Sequence, residues 1–211
     1  MFTTVLSDVK TCAIISSNVC KKKQIYTKIR KGSVFTLEVK LKMRTDIIIV
    51  GSGCAGMYCA LNLPKNKDIL IITKDIVEHS DSFLAQGGMC MLKDKEDFDS
   101  YFYDTMKAGH FENDTAAVET MINSSPDLVK DLLSYGVDFA RDEDGNLAYT
   151  REGAHARNRI LYHEDITGKE ITSHIYEQCK KRDNITIKEH WTMVDIIPKT
   201  ENGKNKMNAL V

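Results

Sequence analysis

No apolar run in this chain approaches the ~18 residues that a membrane-spanning helix requires, so no membrane partner is expected. No two cysteines are spaced C-x-x-C: the six stand at Cys12, Cys20, Cys54, Cys59, Cys90 and Cys179. The six histidines are scattered, and His155 and His163 are too far apart for a usual zinc pair. The expectation is therefore no metal site, with thiols kept reduced in the core of a cytoplasmic protein. A net charge of −1 gives no electrostatic footprint for a nucleic-acid partner.

What is present is an ordinary globular composition, 42% hydrophobic and 28% charged over 211 residues, enough for one large domain or two small ones. The charge is unevenly spread. Residues 1–42 hold nine Lys/Arg against two Asp/Glu, which leaves a net −8 on the remainder. This basic stretch, with Lys21-Lys22-Lys23, reads in three ways: an organelle-targeting segment, a disordered tail, or sequence upstream of a start at Met43. The third is preferred. Residues 1–42 are set apart as a basic extension, disordered or non-native, and 43–211 are taken as the folded unit.

That unit opens on Asp46–Gly56, DIIIVGSGCAG. Ile47 to Val50 read as a buried strand, and Gly51-Ser52-Gly53-Cys54-Ala55-Gly56 follows in the G-x-G-x-x-G spacing of a dinucleotide loop. Gly51 suits the tight turn, Gly53 lets backbone approach a pyrophosphate, and Gly56 lets the next helix pack against the sheet. The pyrophosphate then meets a helix N-terminus, where unpaired N–H groups favour negative charge. A helix over about 55–63 stops before Pro64, and Asp68–Thr73 supplies a second strand, apolar enough to be buried on both faces. An acid that binds the ribose commonly ends this second strand. Here the position reads Thr73-Lys74, with Asp75 one step late, and a charged lysine can only donate; a plain NAD site is disfavoured.

Downstream, Ser80–Leu92 carries small polar residues and then Gly87-Gly88, which read either as an ordinary turn or as a segment laid along a planar cofactor. Phe98, Phe102 and Met106 recur at helical spacing, more a core stripe than a cofactor box, and Gly109 ends that helix. A second helix starts near Asp114. Ser125-Pro126 is read as the fresh start of a third, stopped by Gly136. Asp142–Asn146 is a turn. Thr150–Arg159 (TREGAHARNR) mixes acids, arginines and a histidine, and reads as a solvated loop or as a loop that handles a dicarboxylate. A helix follows from about Asp165, with Ile171, Ile175 and Tyr176 inward. One or two strands follow over Ile185–Ile197, Val194 among their apolar residues, and then a polar hairpin turn after Pro198.

In this order, DIIIVGSGCAG, ITK, SDSFLAQGG and TREGAHARNRILYHEDITG resemble the L-aspartate oxidases of the succinate dehydrogenase/fumarate reductase flavoprotein superfamily. The likeness runs over about residues 45–197 and corresponds to roughly the N-terminal two-fifths of a family member. SFLAQGG and TREGxHxxxRI are specific, whereas GSGCAG is shared by many flavoproteins. The resemblance implies an α/β fold: a Rossmann-like FAD-binding domain with a parallel sheet and a helical insertion, C-terminally truncated.

The resemblance also implies the site. The loop Gly51, Ser52, Gly53, Cys54, Ala55 and Gly56 would hold the FAD pyrophosphate, and Lys74 the adenosine ribose side. Asp81, Ser82, Phe83, Leu84, Ala85, Gln86, Gly87 and Gly88 would line the flavin, with Thr192 and Met193 near the adenine. A histidine at about the Asp81 position bonds covalently to the flavin in the respiratory dehydrogenases; with Asp81 there, FAD is expected to be non-covalent, His79 notwithstanding. Glu152 would orient L-aspartate through its amino group, and His155 and Arg159 read as structural supports. The implied reaction is oxidation of L-aspartate to iminoaspartate, with O2 or fumarate as acceptor, feeding quinolinate and NAD synthesis by hand-off to quinolinate synthase. The alternatives are a fumarate reductase-like flavoprotein or a non-catalytic FAD-binding fragment. Because the family's catalytic arginine and carboxylate-gripping residues would lie beyond Val211, the 211-residue chain alone is expected to show no oxidase activity and to bind FAD weakly. Assaying the purified chain for hydrogen peroxide in the presence of L-aspartate checks this, and sustained production would contradict it.

Overall fold

A computed structural model describes residues 45–196, together with the strand backbones β1 (Ala13–Ser16), β2 (Gln24–Arg30), β3 (Ser33–Val39), β9 (Asp195–Glu201) and β10 (Lys204–Leu210). The reading of residues 1–42 as disordered or non-native lies outside the described residues, apart from three of those strands.

The sheet grows from the apolar run after Asp46. Strand β4 (Ile47–Val50) pairs in parallel with β5 (Ile69–Ile72), and β5 with β8 (Ile185–Lys188); β1 joins β4 antiparallel, in the order β1-β4-β5-β8. All four side chains of β5 are buried, the expected state of a strand covered on both faces. Period two divides them. Ile49, Ile69 and Ile71 face a core that includes Met57 and Ala60 of α1 (Cys54–Asn62), Val129 and Leu132 of α4 (Thr115–Ser134), and Ile171 and Ile175 of α5 (Thr167–Lys180). Ile48, Leu70 and Ile72 face the other way, under Trp191, Met193 and Ile196. Each fully buried isoleucine contributes roughly 2 kcal/mol, so both faces of the βαβ start are held by local sequence.

Between β5 and β8 lies the helical insertion. Its helix α3 (Phe98–Ala108) is capped by Gly109, and its apolar stripe packs as the spacing predicts: Tyr101 and Met106 are buried with Val118 and Ile122 of α4, and Phe98 stacks on Phe102 at 6.1 Å. The expected break at Ser125-Pro126 does not occur. Helix α4 runs through Pro126 as one element. A proline removes the N–H that would bond the carbonyl four residues back, here Ile122. That carbonyl is served instead by the Ser125 hydroxyl, which donates to it at 2.7 Å and accepts from Leu92 N–H at 2.9 Å. Ser125 is thus a buried splint inside the helix rather than its cap.

Two further strands close the insertion: β6 (Met89–Cys90) pairs antiparallel with β7 (Ile160–Leu161). Gly88 permits that pairing, because a Cβ there would come within 2.3 Å of Ile160 Cγ2 and of the Leu161 carbonyl oxygen. The Asp142–Asn146 turn forms as expected, Asp142 accepting from the N–H groups of Asp144 and Asn146. Strands β9 and β10 pair antiparallel with Glu201 opposite Lys204; the turn expected in the polar stretch after Pro198 lies outside the described residues. Val194 departs from expectation: it is 71% exposed and precedes the strand.

Ser125→Ala removes both bonds of the splint and leaves the Ile122 carbonyl and the Leu92 N–H unpaired. The expected loss is about 2 kcal/mol, measured by urea unfolding; a loss near zero would mean that water reaches these groups.

Candidate cofactor and substrate site

The loop after β4 starts with Gly51 at φ 109°, a left-handed conformation that glycine adopts without penalty. Its N–H donates to the Ile72 carbonyl at 2.8 Å, which ties the loop to the carboxyl end of the parallel strands. Gly53 is the N-cap of α1 and has no side chain to cap it. The hydroxyl of Ser82 does part of that work from α2 (Asp81–Leu84), accepting from Cys54 N–H at 3.1 Å. A Cβ on Gly53 would lie 3.0 Å from that hydroxyl, so the cradle over the helix N-terminus is already close-fitting. Ser52 is 2% exposed and its Oγ has no hydrogen-bond partner among the described residues. An unpaired buried hydroxyl costs about 1–3 kcal/mol, and an anion at this helix end offers it an acceptor.

Helix α2 is itself capped by Ser80, whose Oγ accepts from Phe83 N–H at 3.3 Å. It is pinned from below by α5: Gly168 N–H donates to the Ala85 carbonyl at 2.9 Å, and a Cβ on Gly168 would come within 2.2 Å of the Ser82 carbonyl oxygen. Leu84, Ala85, Gln86 and Gly87 are exposed, and Phe83 and Gly88 are half-buried. A cavity of about 310 Å³ lies behind this segment, between it and Leu128, Leu132 and Ile171. No charged side chain lines it.

Lys74 stands exposed at the end of β5. Its neighbour Asp75 is engaged elsewhere, bonded to His79 Nδ1 at 3.0 Å and to Ile76 N–H at 2.8 Å. The His79 bond is the main reason that its carboxyl is held below the usual range. The displaced acid is thus occupied, and the lysine is the group left facing out at the end of this strand. The chain returns to this edge after β8, where Trp191 N–H donates to the Thr73 carbonyl at 2.9 Å. Thr192 is exposed beside it, and Met193 lies on the Ile48–Leu70–Ile72 face.

Glu152 reaches the far end of the same line. The exposed loop 151–158 is closed at its base by reciprocal bonds between Thr150 and Ile160, at 2.9 and 3.1 Å. It folds over the double glycine, so that Glu152 Oε2 is 3.8 Å from where a Cβ on Gly87 would project. From Gly51 through Ser82 to Gly87 and Glu152, residues far apart in sequence form one continuous surface.

A family model described as an FAD binding domain matches residues 46–209. The chain belongs to the FAD binding domain family. Among its relatives, the L-aspartate oxidase of Clostridium perfringens is 45% identical over 156 residues, covering 74% of this chain and 35% of that protein. That of Acinetobacter baylyi is 39% identical over 153 residues, covering 72% and 28%. The chain therefore spans about a third of the length of these relatives. Among solved structures, the E. coli quinol fumarate reductase subunit FrdA, carrying the E245Q mutation, superposes with a TM-score of 0.68 at 24% identity, covering 72% of this chain and 26% of that one. The shared fold is thus that of an FAD-binding domain, and FAD is the cofactor of the family. The helix N-terminus, the unpaired Ser52 hydroxyl and the outward-facing Lys74 are hydrogen-bond donors of the kind that phosphate and ribose oxygens accept.

The charge cluster around the buried Arg159 is less legible in the sequence. Arg159 is 0% exposed, and every one of its five N–H groups is used. It bonds Asp97 twice (2.9 and 2.8 Å), Asp104 at 2.7 Å, Ser100 Oγ at 3.0 Å and His155 Nδ1 at 3.1 Å. The paired carboxylates raise its pKa further, the Asp97 bonds most. The signal was present in the sequence: Asp97 and Asp104 are seven residues apart on a helical pattern, hence on one face. The thiols Cys54, Cys59, Cys90 and Cys179 are free, and burial pushes each of them up, Cys179 to about 12.

Gly53→Ala fills the cradle. FAD affinity should fall by about tenfold or more, read by titrating apoprotein with FAD and following flavin fluorescence; an unchanged affinity would remove the loop from the cofactor's path.

Proposed function

We propose that the full-length protein oxidises L-aspartate to iminoaspartate with FAD, using O2 or fumarate as the final acceptor. The observation that carries this is the Glu152 carboxylate standing over Gly87, on the segment read as lining the flavin. A carboxylate there attracts the ammonium of an amino dicarboxylate and repels a dicarboxylate that lacks one. The curated relatives reported above are named L-aspartate oxidase, which supports the same reading.

In this proposal each part of the chain has a physical task. The α1 N-terminus, with the Ser52 hydroxyl and the Gly53 backbone, holds the pyrophosphate; Lys74 donates to the ribose side, and Thr192 and Met193 flank the adenine. The segment Asp81–Gly88 lies along the flavin, where exposed backbone at Ala85–Gly87 allows close approach. Bound FAD supplies the hydride acceptor. Glu152 takes the ammonium, orienting Cα, and the groups that hold the two substrate carboxylates come from the part of the relatives' length that this chain does not span. FAD is held non-covalently: the Asp81 side chain is a carboxylate, and the nearby His79 is paired with Asp75. Among the described residues, no helix is long and apolar enough to cross a membrane. A cytoplasmic location, and hand-off of iminoaspartate to quinolinate synthase for NAD synthesis, complete the proposal.

Glu152→Gln in the full-length protein tests it. The expected result is a loss of about 10²-fold in kcat/KM for L-aspartate with fumarate reduction changed far less. Equal losses in both reactions would favour a fumarate reductase-like enzyme instead.

A further inference from the structure

The turn that carries Glu152 is strained. Ala154 has φ 70°, a left-handed conformation that costs a non-glycine residue roughly 1–2 kcal/mol. The turn is closed by a 3.3 Å bond from His155 N–H to the Glu152 carbonyl. Residues held this way persist only where their surroundings over-determine them. Here the surroundings are the buried guanidinium. Arg159 Nη1 donates to His155 Nδ1 at 3.1 Å and to Asp104 Oδ2 at 2.7 Å, and Asp104 Oδ2 in turn accepts from Ala156 N–H at 2.7 Å. With Nδ1 accepting, the ring proton sits on Nε2, which faces the Cys90 sulfur at 3.4 Å. Cys90 lies in β6, two residues past Gly88. One imidazole therefore joins the Glu152 turn, the buried arginine and the strand that continues from the double glycine.

Resting on the L-aspartate reading above, we propose that His155 is a positioning residue: clamped between Arg159 and Cys90, it sets the distance of the Glu152 carboxylate from Gly87 and thereby the recognition of the substrate ammonium. His155 touches neither substrate nor cofactor in this role and acts through Glu152 alone. Its removal frees one Arg159 N–H and lets the strained turn relax, while the bonds to Asp97 and Asp104 keep the guanidinium neutralised.

A double-mutant cycle in the full-length protein tests this. His155→Leu should raise KM for L-aspartate about tenfold at nearly constant kcat and flavin content, and should narrow the preference for L-aspartate over succinate. His155→Asn, whose Oδ1 can take the place of Nδ1 as acceptor for Arg159, should recover most of that loss. In the Glu152→Gln background, His155→Leu should add no further change beyond about twofold. Multiplicative effects of the two substitutions, or a fall in kcat and flavin content with KM unmoved, would overturn the proposal. If His155→Leu does not fold, His155→Gln carries the same cycle, since its longer amide reaches towards Cys90 but does not supply the acceptor at the Nδ1 position. A wild-type protein that does not oxidise L-aspartate sinks the functional reading itself, and this inference with it; a wild type that does, combined with multiplicative effects, sinks the inference alone.

Discussion

A guanidinium without water must be neutralised and must have all its N–H groups bonded, and Arg159 is such a group. Desolvating a charge costs several kcal/mol unless its partners are well placed. That requirement draws together Asp97 just before α3, Ser100 and Asp104 within it, the loop that brings His155, and β7, which begins one residue after Arg159. Because β7 pairs with β6, the same requirement fixes the strand that leaves the double glycine. The electrostatics of one buried side chain thus fixes where an exposed carboxylate lies against the segment read as lining the flavin.

The second organising element is the end of helix α1. The sheet delivers Gly51 and Thr73 to one edge in register, and the loop exposes backbone N–H groups there. Helix α2 is laid across this edge by two contacts of different origin, the Ser82 hydroxyl on Cys54 N–H and the Ala85 carbonyl on Gly168 N–H. Helix α5 therefore supports this surface from beneath, while its Ile171, Ile175 and Cys179 lie in the core.

Local order was readable wherever one segment satisfies itself. Ile47–Val50 and Ile69–Ile72 announce buried strands, Gly109 and Gly136 mark helix ends, and Phe98, Phe102 and Met106 show their face. Reading failed where a distant partner decides. Pro126 looked like a helix start because its missing N–H is normally fatal inside a helix; the Ser125 hydroxyl changes that, and it also serves Leu92, a residue of another segment. Val194 looked like a strand residue by its chemistry, yet the strand begins after it. The TREG loop was the hardest case. Its charges left a solvated loop and a dicarboxylate-handling loop both open; Arg151, Glu152 and Arg157 are exposed, while Arg159, a structural support by the resemblance, is wholly buried. Composition cannot divide neighbours in that way, since the division is made by Asp97 and Asp104, over fifty residues upstream.

In the proposed function, this surface presents an amino dicarboxylate to a flavin. The most direct measurement is anaerobic mixing of the full-length flavoprotein with L-aspartate and, separately, with succinate, while the flavin's visible absorbance is followed. Rapid bleaching by L-aspartate and little by succinate is the expected result. Bleaching by succinate as fast as by L-aspartate, or by neither, would contradict it.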